Sequence, residues 1–576
     1  MPYDIVLGRG EHDKKAFGKR GLTYIGKGYV KMGQYTSLSN KILMDVARSH
    51  VILVAGKRGC LTGDSLVFTD KGYKEIKDFN EKEDKILSFN KETKEFEWEK
   101  AEFLHYKIDN ENLLEITFEN EERIKLTKEH PLLTVTGNRL LSLLYVKANE
   151  LKIGDSILSH NLKPIKIVSI KEISGVKEVF DLSVDKNHSF IANGIISHNS
   201  GKSYTLGVIA EELSSLPKEV SQNIASLIFD TMGIYWTMKF QNEKDRTLLQ
   251  EWKLKPKNLP ARIFVPFGHY DAYLEKGIPI DEKFALDIAE MNIDDWILTF
   301  GLDIVNPVAV LIERTITKLK KQEYFNIKDI IQNLEADEKT STEIKNAAVG
   351  LFEAADTWGI FSRDNKKSTQ VDDLISAGKT TILDLSVYNS VGAFNVRALV
   401  ISLISRKIFS QRMDARKKEE IESVNKGLDL LSGQEKKEHP LIWIFIDEAH
   451  EFLPLNSKTI ATDALIQLLR EGRQPGLSLV LATQQPGQIH RDVMTQSDIV
   501  ISHRVTSQPD LEALNKIMQS YLLESIKQYM DELPSLKGSA IVLDDNSERI
   551  YPIRVRPRFT WHGGEAPTAI KEEKGL

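Results

Sequence analysis

At 576 residues the chain exceeds what a single hydrophobic core supports and is expected to divide into several domains. Hydrophobic residues at 41% and charged residues at 28% exclude a disordered chain. No apolar run is long enough to span a membrane and no secretory signal is visible, so the expected location is cytoplasmic. A net charge of −6 excludes a globally basic nucleic-acid coat, and a single cysteine excludes an intrachain disulfide or a polythiolate zinc site.

The first stretch leads into Val51 to Ala55, an apolar run rich in β-branched residues that reads as a buried strand, and then into Gly56, Lys57, Arg58 and Gly59, a glycine turn. A phosphate-binding loop of the form G-x-x-x-x-G-K-S needs a second glycine, a lysine and a hydroxyl here, but Cys60 begins something else. The missing half, Ser200, Gly201, Lys202 and Ser203, stands about 140 residues later and runs into YTLGVIAEEL, whose apolar spacing is helical. Joining Gly59 to Ser200 gives GKRGSGKS between a strand and a helix. Successive backbone N–H groups must form one concave nest at a helix N-terminus to hold a polyphosphate, and a nest split by a domain-sized gap cannot do so.

Between the halves, stretches such as NLLEITFENEERIKLT alternate apolar and polar residues and read as antiparallel strands. This segment opens with Cys60 in CLTGDSLV and carries TKEH from Thr127 to His130. It closes with VFDLSVDKNHSFIANGIISHN, which holds Asp181, His188, His198 and Asn199, and Ser200 follows. In that order and along its whole length it resembles an intein, which implies an all-β Hedgehog/intein (Hint) fold and self-splicing without a cofactor. The resemblance implies that Cys60 attacks the Gly59 carbonyl to form a thioester, while Thr127 and His130 destabilise and protonate the scissile amide. Asp181 would manage protons between the transfers, Ser200 would take the acyl group, and Asn199 would cyclise with help from His188 and His198. Taken singly, His188 reads as a hydrogen-bonded core histidine; the ordered set is what gives it a role. The segment leaves no room for a homing endonuclease, so a mini-intein is expected.

Beyond the loop, LIFDTMGIYW ends another strand in an acid, Asp230; residues 281–375 look mostly helical, and 411–438 reads as a charged, solvated helix. LIWIFIDEAHEFLP describes a buried strand delivering two acids to its C-terminal edge, where parallel sheets place ligands. Asp447 would hold the Mg²⁺ shell and Glu448 would position or deprotonate the attacking water. Lys202 would neutralise the β- and γ-phosphates and Ser203 would ligate Mg²⁺. ALIQLLREGRQPGLSLVLATQQP then gives a helix, a turn and a strand with Gln484, a γ-phosphate sensor, at its edge. Arg473 is placed to act as an arginine finger on a neighbouring subunit, whereas Arg470 reads equally well as a helix-end arginine. The letters DEAH suggest a two-lobed helicase, but the spacing from Lys202 to Asp447 and the residues left after it do not accommodate a second lobe. A neighbouring subunit is therefore expected to complete the site.

With YIGKGYVKMG, SHVILVAGKRG, SGKSYTLG, FIDEAHEFLP and SAIVLDDNSERIYPIRVRPRFTWHGG, the flanking sequence resembles the HerA/FtsK group of P-loop motors, especially archaeal HerA-like ATPases. The resemblance implies an α/β RecA-like P-loop ATPase core with helical insertions, using ATP and Mg²⁺. It further implies a homo-hexameric translocase or helicase on double-stranded DNA in repair and end resection, partnered by a NurA-type nuclease and without membrane attachment. The short stretch ahead of the loop departs from the family's N-terminal β-barrel. The alternative is a nucleotide-gated defence or assembly ATPase without processive translocation. The expected divisions are 1–59 as the N-terminal part of the ATPase, 60–199 as the intein, 200–280 as continued core, 281–375 as helical insertion, 376–545 as core with the acid and sensor strands, and 546–576 as a tail.

Overall fold

The computed structural model describes residues 4–562 apart from 33–34, 57–60, 81–82, 91–94, 100, 108–112, 121, 128–129, 136–142, 149–150, 161–162, 175, 177, 185–188, 199–201, 323, 363–367, 389–393, 426–438, 504, 506–507, 519–525, 535 and 537. Its strands fall into two sheets, one of 13 strands and one of 15.

The first sheet has a parallel centre. In spatial order its strands are Ile499–His503, Val51–Ala55, Leu477–Thr483, Leu441–Ile446, Ile224–Asp230, Thr380–Asp384, Ala261–Pro266 and Glu282–Phe284. Parallel strands buried on both faces require unbroken apolar runs, and every residue of Val51–Ala55, Ile224–Asp230 and Leu477–Thr483 is buried. Alternation then sorts them between two layers. Val51, Leu53 and Ala55 join the core that includes Leu311, Ile330, Phe352, Leu399 and Leu468 from helices, while Ile52 and Val54 join the core built on Leu206, Val208 and Ile209 of Lys202–Ser214. Helices on both faces of a mostly parallel sheet make a doubly wound α/β fold.

An antiparallel extension continues the sheet beyond Ile499–His503 through Ser539–Asp544, Arg549–Val555, Leu22–Met32 and Tyr35–Asp45, and Ile5–Leu7 adds a parallel edge. The stretch expected as a tail from 546 is therefore a sheet strand, and it continues into a buried strap. Arg556, Arg558 and Thr560 are fully buried. The Arg556 guanidinium donates to Glu211 Oε2 (2.8 Å) and Glu212 Oε1 (2.9 Å) on Lys202–Ser214, and Glu211 also accepts from Arg558 (3.3 Å), Phe559 N (3.2 Å) and Thr560 N (3.0 Å). Gly207 is required where that strap crosses, since a Cβ there would stand 2.6 Å from the Arg558 guanidinium carbon. The charged stretch from 411 is helical and largely exposed as far as Asn425, with Arg412 and Ala415 as its buried exceptions, and 426–438 lie outside the described residues. One helix runs Phe394–Asn425, and Arg412 within it is 1% exposed.

Residues 281–375 are mostly helical, with Ile293–Thr299, Pro307–Leu319, Ile327–Glu335 and Thr342–Asp356 as their main helices. Every pairing in the second sheet is antiparallel, from Leu61–Thr62 to Ile195–His198, around a core that includes Leu61, Val67, Ile116, Phe118, Leu126, Phe180 and Phe190. Residues between the two halves of the phosphate loop thus form a β domain with its own core, while the strand before it and the helix after it are both in place in the first sheet's layers. Among the described residues no helix is long and apolar enough to cross a membrane.

Candidate active site

The register of the parallel strands gathers the predicted nucleotide residues along one edge. Ala55 lies opposite Thr483, Ile446 opposite Leu481 and Phe229 opposite Ile446, so Gly56, Gln484 and Asp447 follow, and Asp230 closes, the C-terminal ends of neighbouring strands. Gly56 N donates to Thr483 O at 3.3 Å, which anchors the start of the glycine turn. Lys57, Arg58, Gly59, Cys60, His188, Asn199, Ser200 and Gly201 lie outside the described residues, and only the backbone is described for Lys202, Asp181 and His198. Lys202 begins the helix and Ser203 stands in its first turn.

Asp447 and Ser203 are bridged by a residue that sequence reasoning passed over. The buried Tyr235 hydroxyl lies 3.3 Å from Asp447 Oδ2 and 3.4 Å from the Ser203 carbonyl oxygen. Burial, with Asp447 and Asp230 nearby, raises the phenol well above its ordinary pKa, so it remains a neutral donor. Tyr235 thus links the acid that follows Leu441–Ile446 to the first turn of Lys202–Ser214. Tyr235 is held by Asp230, whose carboxylate accepts from the backbone N–H groups of Gly233 (2.7 Å), Tyr235 (2.8 Å), Met232 and Ile234 (both 3.2 Å).

Glu448 takes a left-handed conformation (φ 49°, ψ 44°), which costs a non-glycine residue about 1 kcal/mol or more. Its N–H donates to Asp447 Oδ1 at 2.9 Å and its carbonyl accepts from Glu451 N at 2.9 Å, fixing the turn that follows the strand. Gln484 Nε2 donates to Glu448 Oε1, so the glutamine at the strand edge and the second acid are joined. His450 Nδ1 lies 3.6 Å from Glu448 Oε2 and 3.2 Å from Thr483 Oγ1. Behind them Glu451 stands 3.5 Å from Arg397 at the start of the long helix. Burial pushes Glu451 up to about 7, with Glu448 and Asp447 adding to the shift and Arg397 opposing it. A second acidic pair sits on the adjoining strands. Asp230 and Asp384 are opposite each other in register and both fully buried; burial and its neighbour push Asp230 up to about 7, and burial raises Asp384 likewise. Asp384 ends TTILD, the same apolar-run-to-acid pattern as LIFD, and the sequence carried that signal.

The arginines lie elsewhere. Arg473 precedes Leu477–Thr483, a strand of seven residues rising roughly 3.3 Å each, so it sits about 20 Å from Gln484 at the opposite edge. Its guanidinium donates to Gln496 O and stands 3.7 Å from Asp498, leaving the side chain 43% exposed. Asp498 is already engaged by His50 Nδ1 at 2.5 Å. Burial alone would lower His50, but its bonds to Asp45 and Asp498 outweigh that and raise it to about 9. Arg470 is paired instead with Asp492 at 2.6 Å.

In the β domain, Leu61 lies opposite both Leu126 and Phe180, which brings Thr127 and Asp181 to the end of the strand where the domain begins. Leu132 lies opposite Ser197, so His130 and His198 share one end of that strand pair. His130 is fully buried, its N–H donates to Thr127 O at 3.0 Å, and its ring meets Phe190 edge-on at 6.3 Å.

Residues 200–408 match the family model "Helicase HerA, central domain". The chain is 27% identical over 184 residues to the DNA double-strand break repair helicase HerA of Pyrococcus furiosus, covering 29% of this chain and 31% of that protein. It is 21% identical over 412 residues to a probable DNA double-strand break repair helicase HerA of Methanocaldococcus jannaschii, covering 65% of this chain and 73% of that protein. The chain thus spans less than a third of the first of these relatives. A crystal structure of a DnaB intein from Synechocystis is similar at 32% identity, covering 25% of this chain and 99% of that one, with a TM-score of 0.22.

Proposed function

We propose that this chain, a HerA-type P-loop ATPase domain carrying an inserted intein-like β domain, is a splicing precursor whose nucleotide site is completed by excision of residues 60–199. The observation that supports the reading is the placement of the strand and the helix that flank the two half-loops. Gly56 follows Val51–Ala55 beside Gln484 and one strand away from Asp447, and Lys202 begins the helix packed on the same sheet, yet a separate β domain stands between them in sequence. Cys60, Thr127, His130, Asp181, His188, His198, Asn199 and Ser200 perform the excision; Asn199 cyclisation releases the insert and an acyl shift leaves Gly59 joined to Ser200.

In the ligated protein the loop from Gly56 to Ser203 cradles the phosphates. Lys202 neutralises them, Ser203 and Asp447 hold the substrate's Mg²⁺, and Glu448 orients the attacking water with Gln484 reading the γ-phosphate. Arg473, about 20 Å from its own site, serves the neighbour in a homo-hexameric ring. The ring acts as a translocase on double-stranded DNA alongside a NurA-type nuclease, in keeping with the repair-helicase names of the relatives. The test compares a Cys60→Ala precursor with the ligated protein. Several lost charge-assisted hydrogen bonds at roughly 1.5–3 kcal/mol each should weaken Mg·ATP binding at least about a hundredfold in the precursor. Equal affinity would refute the split-site reading. Double-stranded DNA should stimulate turnover by the ligated protein, and turnover indifferent to DNA would favour the assembly-ATPase alternative.

A further inference from the structure

We propose that Arg412 is the positioning residue that sets Arg473 for its neighbour, an inference that rests on Arg473 acting in trans. Arg412 lies in the middle of Phe394–Asn425, in a stretch whose charge pattern suggests a solvated face, yet it is 1% exposed. A buried guanidinium demands partners, and its partners are two backbone carbonyls and one half-buried carboxylate. Its Nε donates to Pro475 O at 2.8 Å and one terminal nitrogen donates to His439 O at 3.0 Å. Glu419, one-quarter exposed on the same helix, holds the fork from outside at 3.3 and 3.4 Å.

Both carbonyls precede strands of the catalytic sheet. His439 stands just ahead of Leu441–Ile446, which delivers Asp447 and Glu448; Pro475 belongs to the turn ahead of Leu477–Thr483, which delivers Gln484. That turn carries Arg473. It is closed by Leu477 N to Gly472 O (2.8 Å) and Gly476 N to Arg473 O (3.2 Å), and it passes through Gly476 at φ +93°, where a Cβ would meet Leu441 at 2.4 Å and Arg412 at 3.3 Å. Arg412 therefore holds the backbone of the turn from its buried side, while the Arg473 side chain is 43% exposed. Five donors in a rigid fork reach both carbonyls at once; a lysine ammonium, a point charge on a flexible stem, has no such fork. An arginine finger depends on placement, and a displacement of about 1 Å costs roughly a hundredfold in rate.

The test uses variants in the full-length chain, purified after excision and mixed before ring assembly. Arg412→Met should lower kcat about a hundredfold with the KM for ATP unchanged. Mixed with Glu448→Gln subunits, which carry an intact Arg473, it should regain activity; mixed with Arg473→Ala subunits it should not. A merely structural lesion on the acid strand would reverse that pattern, since Arg412→Met subunits would then lend a working Arg473 to Arg473→Ala neighbours, and this result would overturn the proposal. Should Arg412→Met not give soluble protein, Arg412→Lys is read in the same two mixtures, with the same expected and overturning patterns. A control mixture of Arg473→Ala with Glu448→Gln tests the trans reading itself. Failure there removes that reading and this proposal with it, whereas success there with reversed Arg412 mixtures removes this proposal alone.

Discussion

Glu211→Ala perturbs a densely bonded buried charge on the helix Lys202–Ser214. The carboxylate is fully buried and accepts from two arginines, from the backbone of Phe559 and Thr560, and from the Thr560 hydroxyl at 2.5 Å. Among the described residues, truncation leaves Arg556 with only Glu212 as an acidic partner and Arg558 with none, both in the interior. Breaking a buried ion pair by removing one partner costs about 3–5 kcal/mol, because the remaining charge stays desolvated. The assay is chemical denaturation of a Cys60→Ala, Asn199→Ala chain, which keeps both domains in one molecule. The host transition should move to lower denaturant by an amount equal to about 3–5 kcal/mol at constant m, while the β-domain transition stays in place. Glu211→Gln should be less harmful, since it keeps an acceptor oxygen. A Glu211→Ala host transition within about 1 kcal/mol of the parent would refute the view that this cluster pins the strap to the phosphate-loop helix.

Glu451, raised to about 7 against an ordinary 4.5, binds its proton more tightly folded than unfolded, so its contribution favours folding below about 4.5 and is lost as the pH rises toward 7. With the side chain about one-third exposed, screening reduces the effect to about 1–2 kcal/mol; Glu451→Gln should gain that much over the parent at pH 8 and nothing at pH 4.5, and equal differences at both would contradict it. Tyr235→Phe keeps the ring but deletes the donor to Asp447; removing a hydrogen bond to a charged group at about 1.5 kcal/mol should cut kcat about tenfold and raise the Mg²⁺ needed for half-maximal turnover. An unchanged Mg²⁺ titration would remove Tyr235 from the cation site. Arg470→Ala, which breaks only an exposed pair with Asp492, should change stability by less than about 1 kcal/mol and leave turnover within about twofold, in contrast to Arg473→Ala. A loss as large as that of Arg473→Ala would show that the wrong arginine has been assigned to the neighbour.

The parts of the fold legible in the sequence were those whose cause is local. Val51–Ala55 and Leu441–Ile446 are apolar throughout because helices cover both faces of a parallel sheet, and each ends on the residue type its edge uses. The alternation of the inserted segment likewise declares its antiparallel strands. Thr380–Asp384 carries the same mark but falls at an expected boundary, away from any recognised motif. The C-terminal strap was not legible at all: Arg554, Arg556 and Arg558 alternate along PIRVRPRFTW like a solvated edge, and only Glu211 and Glu212, far away in sequence, turn two of them into core residues. Arg412 was hidden in the same way, since its burial depends on carbonyls at 439 and 475 that no helical periodicity reveals. Tyr235 stood inside a segment already singled out for Asp230, but a tyrosine after a strand is ordinarily packing; its bond to Asp447 comes from the neighbouring strand.

The most direct measurement of the central claim is intact-mass spectrometry of the expressed full-length chain, with peptide sequencing across the joint. The account predicts a ligated product lacking residues 60–199, a peptide in which Gly59 is bonded to Ser200, a released β domain of matching mass, and Mg·ATP hydrolysis by the ligated product only. A population of uncut 576-residue chain that binds and hydrolyses Mg·ATP as well as any shortened species would contradict it.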